Sequence, residues 1–201
     1  SSDVCSSDLT SPITVMKIDQ ETGKQIRAAG VEFRLLDSRK KPVEMELHYP
    51  EHVKTSIFKT DKNGQFTFPQ KLKKGQYYLE EVKAPVGYLK GELLPFEVKD
   101  GASWAEAQVI RYSDRSAKGK IVIQKTDQKT EEPLAGAVFE IFAAEEIVTA
   151  DRTVHAEKGE LVDTVEVSEK GGCSENLYLG KYIVKEKKQP EGYVRREKTY
   201  E

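Results

Sequence analysis

Lysines and carboxylates on the inward faces of β-strands are the residues of this 201-residue chain whose types and spacing could do chemistry. Side chains of an extended strand alternate faces, so in Ile13-Thr14-Val15-Met16-Lys17-Ile18-Asp19 the Lys17 amine shares a face with Ile13 and Val15. The pattern returns in Ile121-Val122-Ile123-Gln124-Lys125-Thr126-Asp127, where Lys125 shares a face with Ile121 and Ile123. Acids are placed in the same way. Tyr77, Leu79 and Glu81 lie on one face of the run after Gly75, and Tyr182, Val184 and Glu186 on one face of its counterpart. In the run that closes the first half, Ile110, Tyr112 and Asp114 share a face. One lysine and two carboxyls can therefore meet in a single apolar core.

Loss of water disfavours the charged forms of amines and acids alike, so such a trio can hold a neutral amine beside protonated acids. A neutral amine is a nucleophile. Attack of Lys17 on the Asp114 carboxyl, with Glu81 shuttling protons and hydrogen-bonding the tetrahedral intermediate, yields an amide and releases one water. Folding supplies the proximity that makes this feasible without ATP. The same parity also fits a buried Lys/Glu/Asp ion-pair network with no covalent bond, and the residues alone leave both readings open.

The elements that must position these groups are short β-rich runs broken by turn residues: Thr22-Gly23, Gly30, Asp61-Lys62-Asn63-Gly64, Lys74-Gly75, Pro85-Val86-Gly87 and Asp100-Gly101. Further strands are predicted at Val31–Leu35, Gln65–Phe68, Gln76–Val82 and Gln108–Tyr112, with at most a turn of helix at Ala102–Ala107. The second half repeats the first at a spacing of about 105 to 108 residues, the mark of whole domains in tandem. Lys17 recurs as Lys125, Asp19 as Asp127, Phe33 as Phe139, Glu81 as Glu186, and Pro85-Val86-Gly87-Tyr88 as Pro190-Glu191-Gly192-Tyr193. These marks predict two domains, residues 11–116 and 117–201, after a non-native or disordered leader at 1–10. The chain is read as a fragment, with the second domain lacking its last strand.

Composition narrows the function classes. A hydrophobic content of 37% suits two thin cores better than one thick one. The 32 basic and 34 acidic residues are interspersed, with no basic block for nucleic acid and no polybasic segment for a membrane. No apolar run approaches the roughly 18 residues of a membrane-spanning helix. Cys5 and Cys173 are too few for a disulfide framework and lack zinc-ligand spacing. Asp61-Lys62-Asn63-Gly64 opens like a calcium loop but lacks the remaining ligands, and a hairpin turn is the better reading. His48 and His52, beside Tyr49-Pro50, read as solvated side chains of a loop, and His155 has no evident partner. Cys173 after Gly171-Gly172 reads as a small residue in a turn. No cofactor and no metal are expected.

The VxKxD opening (Val15, Lys17, Asp19), Thr22-Gly23, LAGAxF at Leu134–Phe139, TDxNGxF at Thr60–Phe66, GxYxLxE at Gly75–Glu81 and APxGY at Ala84–Tyr88 together resemble the Cna_B, or SpaA-type prealbumin-like, domains of Gram-positive surface adhesins and pilins. The resemblance covers nearly all of residues 11 to 201. It implies an all-β fold of two tandem Ig-like or transthyretin-like (prealbumin-like) β-sandwiches and a self-formed isopeptide bond. Carried onto this chain, Lys17 matches the amine donor, Glu81 the catalytic acid and Asp114 the acyl partner, while Lys125 and Glu186 match the donor and acid of the second domain. An Asp at the third position departs from the commoner Asn, so water rather than ammonia would leave. Ala28-Ala29-Gly30-Val31 also departs from LAGA. The implied role is a structural stalk repeat of a secreted, cell-wall-attached surface protein and not a turnover enzyme. Its partners would be neighbouring repeats of the same protein. The alternative is a module adhering to host extracellular matrix protein or glycan.

Overall fold

The computed structural model describes residues 10–99, 101–194 and 199–200. The leader through residue 9, with Cys5, lies outside the described residues, as do Asp100 and Glu201. Thr10, assigned to the leader on sequence, is part of the fold, because it pairs with Lys73. The chain divides into two compact units, Ser1–Ser116 and Ala117–Glu201.

In chain order unit one contains β1 (Thr10–Ser11), β2 (Ile13–Asp19), β3 (Glu32–Leu36), β4 (Met45–Leu47), β5 (Val53–Thr55), β6 (Ile57–Lys59), β7 (Gln65–Thr67), β8 (Leu72–Lys73), β9 (Gly75–Lys83), β10 (Tyr88–Leu89), β11 (Leu94–Val98) and β12 (Gln108–Ser116). A 3-10 turn covers Trp104–Glu106. Two four-stranded sheets, ordered β10-β12-β2-β7 and β11-β9-β3-β6, form the sandwich. The β-branched, alternating sequence of β2 explains its place: Ile13, Val15, Lys17 and Asp19 are buried, and the residues between them are only partly covered. It pairs in parallel with β12 over seven positions, from Gln108 opposite Ile13 to Asp114 opposite Asp19. On its other edge it pairs antiparallel with β7. The core between the sheets includes Ile13, Val15, Phe33, Leu35, Leu79, Phe96 and Ile110.

The turn before β7 shows how local chemistry sets this register. The Asp61 carboxylate accepts hydrogen bonds from the backbone N–H groups of Asn63 and Gln65 at 2.8 and 3.2 Å, so its role is that of a turn residue. Gly64 has φ of +77°, and a Cβ there would lie 1.7 Å from the Ile26 carbonyl oxygen, so only glycine closes this turn. Its carbonyl then accepts the Lys17 N–H at 2.9 Å.

Unit two contains β13 (Lys118–Gly119), β14 (Val122–Ile123), β15 (Val138–Ala143), β16 (Ile147–Val148), β17 (Val154–Ala156), β18 (Leu161–Glu166), β19 (Gly172–Cys173), β20 (Leu177–Tyr178), β21 (Tyr182–Lys188) and β22 (Thr199–Tyr200). Its four-stranded sheet is ordered β18-β15-β21-β22, and β14 pairs with β19 alone. Its core is smaller, with Ile123, Ala137, Phe139, Ile141, Val165 and Val167 buried. The strand expected over 121–127 shrinks to Val122–Ile123. The physical reason is lost pairing: β2 is hydrogen-bonded on both edges, whereas among the described residues β14 has a partner on one edge only. Val122 is accordingly 71% exposed.

Candidate functional site

Lys17, Glu81 and Asp114 come together in the core of unit one, each with its side chain fully shielded from solvent. Lys17 and Asp114 project from the neighbouring parallel strands β2 and β12, and Glu81 projects from β9 in the facing sheet. The Lys17 Nζ lies 2.6 Å from Asp114 Oδ1 and 2.9 Å from Glu81 Oε1. Although both distances suit charge-assisted hydrogen bonds, neither contact has the angles of one. Amine and carboxyls are in ion-pair contact and fully enclosed.

Aromatic rings enclose the amine. In the β2–β12 register Tyr112 stands opposite Lys17, and in the β3–β9 register Phe33 stands opposite Glu81. The two rings meet edge to face at 5.1 Å, and Nζ lies 4.4 Å from the centre of Tyr112 and 5.6 Å from that of Phe33. Burial pushes the Asp114 carboxyl up to about 7 from 3.8; contact with Lys17 opposes the shift, and the Glu81 charge adds to it. Burial, then the charges of Glu81 and Asp114, also raises the Tyr112 hydroxyl, which donates to the Glu92 carbonyl and remains a phenol.

A strap after β10 closes the site. The Gly91 N–H donates to Glu81 Oε2 at 2.8 Å, which leaves Oε1 facing the amine. A Cβ at Gly91 would come within 2.6 Å of the Tyr112 ring and 2.9 Å of Asp114 Oδ1, so a larger residue could not lie this close to the trio. Sequence reasoning missed Gly91, because nothing in Lys90-Gly91-Glu92 marks a close approach. It also gave no role to Asp19 and Tyr88, although both carry the repeat. Buried Asp19 accepts the Tyr88 hydroxyl at 2.8 Å through Oδ2, and the N–H groups of Glu21 and Thr22 at 2.7 and 3.0 Å through Oδ1. This arrangement fixes the end of β2 beside the trio.

Unit two holds half of the constellation. Lys125 Nζ lies 3.3 Å from Glu186 Oε1, and Glu186 stands opposite Phe139 as Glu81 does opposite Phe33. The Lys125 side chain is 32% exposed, however, and faces a groove of about 800 Å³ lined by Ile121, Ile123, Phe139, Glu186 and Tyr193. Among the described residues no second carboxylate is within ion-pair distance of Lys125. Asp127 repeats Asp19: backbone N–H groups of Thr130 and Lys129 hold its carboxyl below the usual range, with a further hydrogen bond from Tyr193.

The profile of the SpaA prealbumin-like fold domain matches residues 11–110 and 119–201, one segment for each set of inward lysine and glutamate. The chain belongs to the SpaA prealbumin-like fold domain family. Among solved structures this SpaA-type chain is similar to the Bacillus anthracis TIE protein, with 25% identity and a TM-score of 0.63 over 96% of this chain and 30% of that one. It therefore spans less than a third of the TIE protein's length. A streptococcal ancillary pilin matches at 23% identity and a TM-score of 0.38, covering 96% of this chain and 58% of the pilin. Shaft pilin SpaA from Lactobacillus rhamnosus GG matches at 17% identity and 0.37, covering 95% and 93%. No functionally curated protein matches the sequence. Among the described residues no helix is long and apolar enough to cross a membrane.

Proposed function

We propose that this chain is a structural repeat segment of a bacterial surface protein of the adhesin or pilin type, exported and held at the cell wall, whose first unit locks itself with an amide between Lys17 and Asp114. The observation that carries this reading is the enclosure of one amine between two carboxyls at 2.6 and 2.9 Å with no exposure to water. The Lys17 Nζ lone pair attacks Asp114 Cγ. Glu81 accepts a proton from the attacking nitrogen and returns it to the departing oxygen, so one N–C bond replaces one C–O bond and a water leaves. Glu81 is the catalytic acid-base in this step, and Gly91 positions it. The Tyr112 and Phe33 rings keep bulk water from competing with the amine.

The product has a mechanical consequence. β2 and β12 are the first and last long strands of unit one and lie side by side, so an amide between them carries tension across the unit without unfolding the sheets. The reaction occurs once, on the chain's own residues, and needs no cofactor. Neighbouring repeats of the same surface protein are the natural partners of such a segment. In unit two Lys125 and Glu186 are donor and acid of the same reaction, and among the described residues no acyl partner stands beside Lys125.

Intact-mass measurement tests the proposal. Purified protein should be lighter than its sequence by one water, with a Lys17–Asp114 branched peptide after digestion, and Glu81→Ala should restore the full mass. Full mass in the folded wild type, with both side chains in linear peptides, overturns the covalent reading.

A further inference from the structure

A second set of convergent side chains lies away from the trio, on the hairpin formed by β4 and β5. Its ladder pairs Met45 with Thr55, Glu46 with Lys54 and Leu47 with Val53. The next position up the hairpin brings His48 and His52 face to face across the turn at residues 49–51, and their rings stack at 4.9 Å with 24° between planes. Glu46, two residues before His48, projects from the same face of its strand. Its Oε2 lies 3.4 Å from His52 Nε2. One ligand atom from each of Glu46, His48 and His52 falls within 4.8 Å of the other two.

We propose that Glu46, His48 and His52 bind one divalent first-row transition ion, with Zn²⁺ as the representative, at the tip of this hairpin. The chemistry of the donor set selects the ion class, because two imidazoles and one carboxylate suit Zn²⁺, Ni²⁺ or Cu²⁺ and not the all-oxygen shells of Ca²⁺ or Mg²⁺. The spacing fits as well. Ligands at about 2.0–2.1 Å around a tetrahedral ion stand about 3.3 Å apart, which the Glu46–His52 pair already meets, and a rotation of exposed His48 brings in the third. Three protein ligands leave one position for water. The alternation of the strand places residues 46 and 48 on one face, and the turn length sets residue 52 opposite 48, so the site is a product of the hairpin's register rather than of chance proximity. Lys54 is the opposing element: its Nζ lies 3.9 Å from Glu46 Oε1, where it competes with the cation for the carboxylate.

The test is calorimetric titration of the full chain with ZnCl₂. Expected are one ion per chain and a loss of affinity in both His48→Ala and His52→Ala greater than the roughly 10-fold that removal of an outer-shell partner produces. Glu46→Gln should weaken binding, Lys54→Ala should strengthen it, and Cys173→Ser should leave it unchanged. Circular dichroism establishes that each variant is folded. Absence of binding, or wild-type affinity in the two histidine variants, or dependence on Cys173, overturns the proposal.

Discussion

The two units carry the same inward lysine, the same glutamate opposite a phenylalanine and the same aspartate–tyrosine pair, yet only one of them encloses its lysine. In unit one the amine has no exposure and meets two carboxyls, whereas in unit two it is about one-third exposed and meets one. What differs is the surroundings. Unit one has β12 alongside β2 for seven positions, bringing Asp114 and Tyr112, and the Gly91 strap above them. In unit two β14 pairs over two residues with β19, and among the described residues nothing stands where β12 does. The difference lies in the third strand, which both removes water from the amine and brings a second carboxyl to it.

The largest expected contrast comes from removing each lysine. Lys17→Met should abolish the proposed cross-link, and by analogy with a disulfide closing a loop of about 100 residues the expected loss is ~4.7 kcal/mol. That corresponds to a fall of roughly 20–35 °C in the melting of unit one. Lys125→Met removes a partly solvated ion pair and should cost about 1 kcal/mol or less. Differential scanning calorimetry of the two variants decides it, and similar small shifts for both would erase the distinction between the units.

A pH series sharpens the contrast by reporting on Asp114. In Glu81→Gln, which lacks the proton shuttle, Asp114 stays a titrating acid, and burial keeps its folded pKa above the ordinary 3.8, toward about 7. Between those values the folded state retains a proton that the unfolded state has released, so stability falls as pH rises through the window. The full stability is present below about pH 4, and removal of the Glu81 charge draws the upper end somewhat below 7. In the wild type the proposed amide would consume the carboxyl, and this contribution should vanish. The expected difference, on the order of 3–4 kcal/mol across the window, is read from urea midpoints at several pH values. Parallel pH profiles for variant and wild type would contradict the amide.

The smallest contrast concerns the aspartate–tyrosine pairs. Tyr88→Phe takes a hydroxyl donor from buried Asp19 and should destabilise unit one by about 1.5–3 kcal/mol. Tyr193→Phe should leave unit two unchanged within error, because water reaches Asp127 and the N–H groups of Lys129 and Thr130 remain bonded to it. Chemical denaturation of both variants measures this, and equal losses would show that the second pair is as enclosed as the first.

Strand parity in the sequence determined which faces Lys17, Glu81, Asp114 and Glu186 take, because a period of two residues is a property of the extended backbone alone. The repeat and the all-β architecture were legible for the same reason, since turn residues and alternating apolar runs act over a few neighbours. Which strands become neighbours is a different matter. The parallel pairing of β2 with β12, which sets Lys17 opposite Tyr112 and one step from Asp114, joins residues almost a whole unit apart in sequence. The approach of Gly91 to Glu81 and the shrinkage of the strand expected at 121–127 have no local signal either. His48 and His52 read as loop residues in the sequence, and only the hairpin register brought Glu46 to them. Parity assigns a side chain to a face, but enclosure and contact are set by long-range pairing, and these the tertiary structure alone decided.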